Sequence, residues 1–153
     1  MLFYIQNPAS DGLRHCLPRH ENLRVLEVGA FPGGKTTQLR ECLPACSDFL
    51  SIDVSSSRLG RFQENLNRLK CWVPHEVTDF EGMSLKGGFD LILLDAPCSA
   101  SGSMRHMPDF HIQKMALDWQ SLSKNQHALL GKAAEHLNPG GQIIYMTCSF
   151  LRS

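Results

Sequence analysis

Phe89-Asp90-Leu91-Ile92-Leu93-Leu94-Asp95-Ala96-Pro97-Cys98-Ser99 is the run on which the fold of this chain turns. Four consecutive large aliphatics, Leu91 to Leu94, predict a strand buried on both faces, as in a parallel sheet covered by helices. The strand stops at an acid, a proline and a cysteine. Ligands of open α/β sheets bind beyond the carboxyl ends of the strands, so Asp95 and Cys98 fall where chemistry is expected. Pro97 fixes its own φ and biases Ala96 toward extended backbone, which presents Cys98 on a stiff support.

The segments on either side extend the same pattern. Leu23 to Val28 predicts a first strand, closed by Gly29 and the loop Ala30-Phe31-Pro32-Gly33-Gly34, with a helix from Lys35 to Leu43. Phe49 to Asp53 is a second strand with an acid at its end. Ser55 to Ser57 offer N-caps for a helix reaching Leu69, with Leu59, Phe62, Leu66 and Leu69 on one stripe. Cys71 to Val77 is a weak third strand containing Pro74. The opening run is the fourth, and a loop rich in glycine, proline and histidine follows it. Ile112 to Leu137 reads as helix, with a break around Trp119 to Ser123. Asn138-Pro139-Gly140-Gly141 then ends it before a fifth strand, Gln142 to Thr147. Ser10 to Leu17 forms a short lead-in helix within residues 1–20. Strands alternating with helices argue an α/β, doubly wound, mostly parallel sheet of about five strands in a single domain, residues 1–153, whose core is 23–149.

Composition narrows the function classes. A hydrophobic content of 42% with 20% charged residues is that of a globular domain. Fifteen basic and fifteen acidic residues cancel, so nucleic-acid binding has to come from a local patch or another segment. No apolar run reaches membrane-spanning length and the start lacks a signal-peptide pattern, which makes a cytoplasmic location the expectation. The six cysteines are scattered, which predicts reduced thiols. Cys42 and Cys46 are the only close pair. With Pro44 between them and no matching partners they mark a helix end, and no metal site is expected.

Gly29-Ala30-Phe31-Pro32-Gly33-Gly34-Lys35-Thr36 matches the phosphate-binding pattern G-x-x-x-x-G-K-[ST], so a nucleotide hydrolase is a rival reading. Asp53 weighs against it, lying roughly 20 residues past the glycines, where a ribose-binding acid sits in Rossmann-like folds. So do the cysteines after strands four and five, for which phosphate hydrolysis has no use. Glu27 also suits the acidic end of an S-adenosylmethionine strand.

Taken together, Pro32-Gly33-Gly34-Lys35-Thr36-Thr37, Asp53, Asp95-Ala96-Pro97-Cys98-Ser99, Ser101-Gly102, Arg105, Pro108-Asp109, Gln126, Pro139-Gly140-Gly141 and Thr147-Cys148-Ser149 resemble the catalytic domain of the RNA cytosine-5 methyltransferases, the RsmB/Sun-like family. Pro-Cys after strand four combined with Thr-Cys after strand five is the specific signal. The resemblance implies a Rossmann-like class I fold and S-adenosylmethionine as cofactor, with 5-methylcytosine formed in ribosomal or transfer RNA through a covalent cysteine adduct. It implies Cys148 as nucleophile, Cys98 as helper in product release and Asp95 at the base. It further implies Gly29, Ala30, Phe31, Pro32, Gly33, Gly34 and Lys35 along the methionine side of the cofactor, Asp53 at the ribose, Asp79 at the adenine and Asp95 near the methyl group. Lys35 contacts either Asp95 or the substrate. Arg105 is the expected RNA contact. The chain departs from the family at Glu27, where Asp is usual, at bulky Phe31 and at His106. The family's last two strands and RNA-binding extensions are expected to be missing, so the alternative is a non-catalytic module that binds S-adenosylmethionine or RNA.

Overall fold

The computed structural model describes residues 10, 12–44, 48–101 and 118–149. They form a five-stranded sheet, β1 (Arg24–Val28), β2 (Asp48–Asp53), β3 (His75–Val77), β4 (Phe89–Asp95) and β5 (Leu137–Met146), in the order β3-β2-β1-β4-β5. Every pairing is parallel. The described residues also form four α-helices: α1 (Leu13–Cys16), α2 (Gly34–Cys42), α3 (Leu59–Leu69) and α4 (Trp119–Glu135). No helix among the described residues is long and apolar enough to cross a membrane.

The alternation of β4 builds both cores. Leu91 and Leu93 join Val25, Leu39, Phe62 and Leu66 beneath α2 and α3, while Ile92 and Leu94 join Leu26, Leu129 and Ala133 beneath α4. All four aliphatics of β4 are fully buried, each contributing about 2 kcal/mol of gross burial free energy. A strand covered on both faces needs no polar alternation, which is why its sequence reads as a continuous apolar run.

Four expectations shift. β3 is only His75–Val77: Pro74 has no N–H to give a ladder, and its carbonyl instead accepts from Ser51 N at 3.0 Å. The serines after β2 do not cap α3. Residues Ser56–Arg58 form a 3₁₀ turn first, and Ser55 Oγ sits 3.0 Å from Ser57 Oγ. Helix α4 starts at Trp119, where a break was expected, because Asp118 caps it by accepting from Ser121 N at 3.1 Å. Finally, Asn138 to Gly141 do not precede β5 but lie within it. Leu137 pairs with Phe89 and Gln142 with Leu91, so the residues between bulge out of the ladder, with Gly140 at φ +80°.

Candidate active site

The carboxyl ends of β1, β2 and β4 open onto a cleft of about 470 Å³, the size of a small-molecule site. Gly29 at the end of β1 lies so close to β4 that a Cβ there would meet the Asp95 carbonyl oxygen at 2.5 Å, and its φ of +79° favours glycine. Gly33, at φ +100°, similarly backs onto Phe62. The chain can turn this tightly only without side chains, and the close approach brings β1 and β4 together at the floor of the cleft.

Two buried acids shape this side. Asp53 Oδ2 accepts from Phe31 N at 2.9 Å, while Oδ1 accepts from Ser55 N at 2.8 Å and from Arg58 Nη2 at 3.2 Å. Its side chain is only 1% exposed. Asp53 therefore fixes the glycine loop to β2 and lines the cleft as well. Arg58 completes the clamp by donating to Phe31 O at 3.1 Å. Glu27, fully buried in mid-β1, receives Thr36 Oγ1 at 2.7 Å and Ser51 Oγ at 2.8 Å on Oε2. Burial pushes its carboxyl up to about 7, against the opposing pull of those two hydrogen bonds and of Lys35. Glu27 thus ties α2 and β2 to β1 and does not face the cleft.

On the other side, Asp95 Oδ2 accepts from Lys35 Nζ at 2.6 Å, one of the two contacts expected of that lysine. Beyond Asp95 the ladder takes one more step, Ala96 N to Met146 O at 3.0 Å, before β4 and β5 part. This register brings Cys98 and Cys148, from the ends of adjacent strands, to an Sγ–Sγ separation of 3.0 Å. Cys148 N also donates to Cys98 Sγ at 3.2 Å. Cys98 is held down at about 6, first by the hydrogen bond from the Cys148 thiol and then by the N–H groups of Ala100 and Cys148; burial opposes them. As the donor, Cys148 is pushed well up. The two thiols are coupled through this contact, which lowers Cys98 and raises Cys148.

The residues expected to act divide into three groups. Gly29, Asp53, Asp79, Asp95, Cys98 and Cys148 all line the cleft. Asp79 is exposed and closes its own turn by accepting from Glu81 N at 3.1 Å. Ala30, Phe31, Pro32, Gly33, Gly34 and Lys35 are not among its lining residues, although Lys35 reaches Asp95. Phe31 is buried with its ring 4.4 Å from Phe62, so its bulk fills the core. Arg105, His106, Gly102 and Cys46 lie outside the described residues. Sequence reasoning missed the apolar lining given by Val54, Phe80 and Leu129, since isolated apolar residues carry no motif. It also missed the loop-clamping role of Arg58.

The phosphate-binding reading loses its chemistry here. The hydroxyl a magnesium ion needs, Thr36 Oγ1, is buried and spent on Glu27, and Lys35 is paired with Asp95. Comparison with known proteins agrees. The model of the 16S rRNA methyltransferase RsmB/F family matches residues 14–153. The chain belongs to that family.

Among RsmB/F relatives, ribosomal RNA small subunit methyltransferase B of Cronobacter sakazakii is 38% identical over 150 residues, covering 96% of this chain and 35% of its own length. The Klebsiella pneumoniae protein of the same name is 37% identical over 153 residues, with the same coverage. The chain therefore spans about a third of the length of these curated relatives. The structure of NSun6 from Pyrococcus horikoshii with SFG superposes with a TM-score of 0.83 at 30% identity, covering 97% of this chain and 38% of that one. A methyltransferase homolog protein from the same organism gives 0.74 at 34% identity, covering 97% and 47%. The fold is Rossmann-like and of the S-adenosylmethionine-dependent methyltransferase type, as expected. The cleft fits that cofactor: two side-chain-free turns, an acid on β2 and a second acid on β4 beside a reactive sulfur pair.

Proposed function

We propose that this chain is the catalytic core of an S-adenosylmethionine-dependent RNA methyltransferase that forms 5-methylcytosine in ribosomal RNA through a transient bond to Cys148. The observation that carries this reading is the Cys98–Cys148 pair beside Asp95 at the mouth of the cleft. Carbon-5 of cytosine is a weak nucleophile, and a thiolate added at carbon-6 makes it enamine-like. The Cys148 thiol gives its proton to solvent and the resulting thiolate adds to carbon-6. The electron pair displaced into the ring is stabilised by hydrogen bonding between the ring edge and Asp95, which Lys35 holds by Oδ2. When bound, S-adenosylmethionine supplies the electrophilic methyl group at the Asp95 end of the cleft. Cys98, as the thiolate, then accepts the carbon-5 proton; the carbon-6–sulfur bond breaks and Cys148 leaves as the thiolate. Gly29, Asp53 and Asp79 orient the cofactor. The enzyme works where its RNA is, in the cytoplasm, and Arg105 contacts that RNA.

The test is transfer of a labelled methyl group from S-adenosylmethionine to ribosomal RNA. Wild type labels RNA and Cys148→Ala does not, whereas Cys98→Ala accumulates a protein–RNA adduct stable to denaturing electrophoresis. An active Cys148→Ala overturns the assignment. The alternative reading is a module that binds S-adenosylmethionine or RNA without turnover. Binding of S-adenosylmethionine with no transfer to any RNA would select it.

A further inference from the structure

A second, smaller cavity of about 130 Å³ lies beside the cysteine pair. Ser99, Thr147 and Ser149 line it, each an immediate chain neighbour of Cys98 or Cys148, together with Trp119, Gln126 and Tyr145. It shares no lining residue with the large cleft, while the two cysteines line only the latter. The sulfur pair therefore stands in the partition between the two spaces. We propose that this pocket receives the nucleotide adjoining the target cytosine in a single-stranded RNA, its base lying on Trp119; this inference rests on the RNA substrate proposed above.

Four observations support it. The volume is well below the several hundred Å³ of a cofactor-sized site and suits a single flat ring. The walls are rich in hydrogen-bonding groups: Ser99 Oγ and Ser149 Oγ are 2.7 Å apart, and Gln126 Nε2 is fixed to Pro97 O at 2.7 Å, which presents the amide on the strap that carries Cys98. Burial, with the charge on Cys98 adding to it, pushes the Tyr145 phenol up, so it stays a neutral donor. Trp119 is 41% exposed on the first turn of α4, pinned by the Asp118 cap and by Leu122 N donating to Asp118 O at 3.1 Å. A large aromatic ring left open on a rigid turn is what a stacked base requires, and base–aromatic stacking tolerates any sequence. Trp119 also borders a shallow open depression with Lys124 and His127, giving the RNA backbone a basic path away from the pocket. A nucleotide joined by one phosphate to a cytosine held at Cys148 has this pocket directly in reach, because Thr147 and Ser149 flank that sulfur.

The test uses short single-stranded RNAs with one cytidine, intact or with an abasic ribose at the residue 5′ or 3′ of it, titrated against wild type, Trp119→Phe and Trp119→Ala. Stacking of about 1–3 kcal/mol per base predicts that Trp119→Ala binds the intact RNA roughly tenfold more weakly. Trp119→Phe, which keeps a ring, stays near wild type. With the abasic residue at one of the two flanking positions, wild type and Trp119→Ala converge. If Trp119→Ala weakens intact and abasic RNAs alike, or weakens none, the subsite is wrong while the RNA substrate stands. If wild type binds none of these RNAs, both readings fall.

Discussion

On the β1–β2 side of the sheet, Glu27 and Asp53 are buried, and five protein donors converge on their oxygens. On the β4–β5 side, Asp95 and Cys98 are half-exposed, Cys148 is exposed, and among the described residues the sulfurs are partnered by each other and by nearby N–H groups. The first region spends its polar groups on holding backbone in place. The second pairs its two sulfurs with each other and leaves them open to the cleft. Under the function proposed above, the contrast separates the work of shaping a cofactor cleft, which needs rigidity, from the work of making and breaking a covalent bond, which needs groups that change charge cheaply.

Substitutions break the two regions in different ways. The largest effect falls on the β4–β5 side: Cys148→Ala should lower methyl transfer by at least about a thousandfold while the protein's melting temperature and cofactor affinity stay near wild type. Labelled-methyl assays, scanning calorimetry and titration of S-adenosylmethionine check the three readouts. On the rigid side Gly29→Ala should do the reverse. A Cβ 2.5 Å from the Asp95 carbonyl, on a backbone at φ +79°, forces β1 and β4 apart and should cost about 2 kcal/mol or more of stability, read by urea unfolding.

A subtler break uses pH. Glu27 binds its proton more tightly folded, at about 7, than unfolded, near 4.5. Its contribution is therefore present in full below about pH 4.5 and is lost as pH rises through 7. Glu27→Gln removes that titration, so the decline in stability of the wild type between these limits, about 3 kcal/mol at most, should flatten in the variant. Denaturant midpoints at several pH values test it, and parallel curves for the two proteins would refute it. Smallest of all is Arg58→Leu. The guanidinium is 52% exposed, so losing its pair with Asp53 should cost about 1 kcal/mol or less in thermal unfolding.

How much of this was legible in the sequence follows the same division. Leu91 to Leu94 announced a doubly covered strand because burial on both faces leaves no polar residue in the run. Both cysteines and Asp95 were readable because strand ends are where such chemistry sits. Glu27 looked like a cofactor acid and is instead an internal tie, since a sequence does not say which way a strand residue faces until the neighbours are placed. The glycine loop reads as a cradle; what the sequence did not show is that the Phe31–Phe62 contact and the Asp53 clamp hold it against the core. Asn138 to Gly141 carried the composition of a turn, and nothing local revealed that Leu137 would pair with Phe89 ahead of it.

That bulge has a consequence for tolerance to insertion and deletion. The spacing of the sulfurs is set by the ladder from Leu91↔Gln142 to Asp95↔Met146, and a slip of one residue there would turn Cys148 to the opposite face. Asn138 to Gly141 sit upstream of that stretch, outside the regular pairing. A residue gained or lost among them changes the size of the loop-out and leaves the downstream register intact. The bulge thus acts as slack in the chain, sparing the sulfur pair from errors of length that would be fatal within the ladder that follows it.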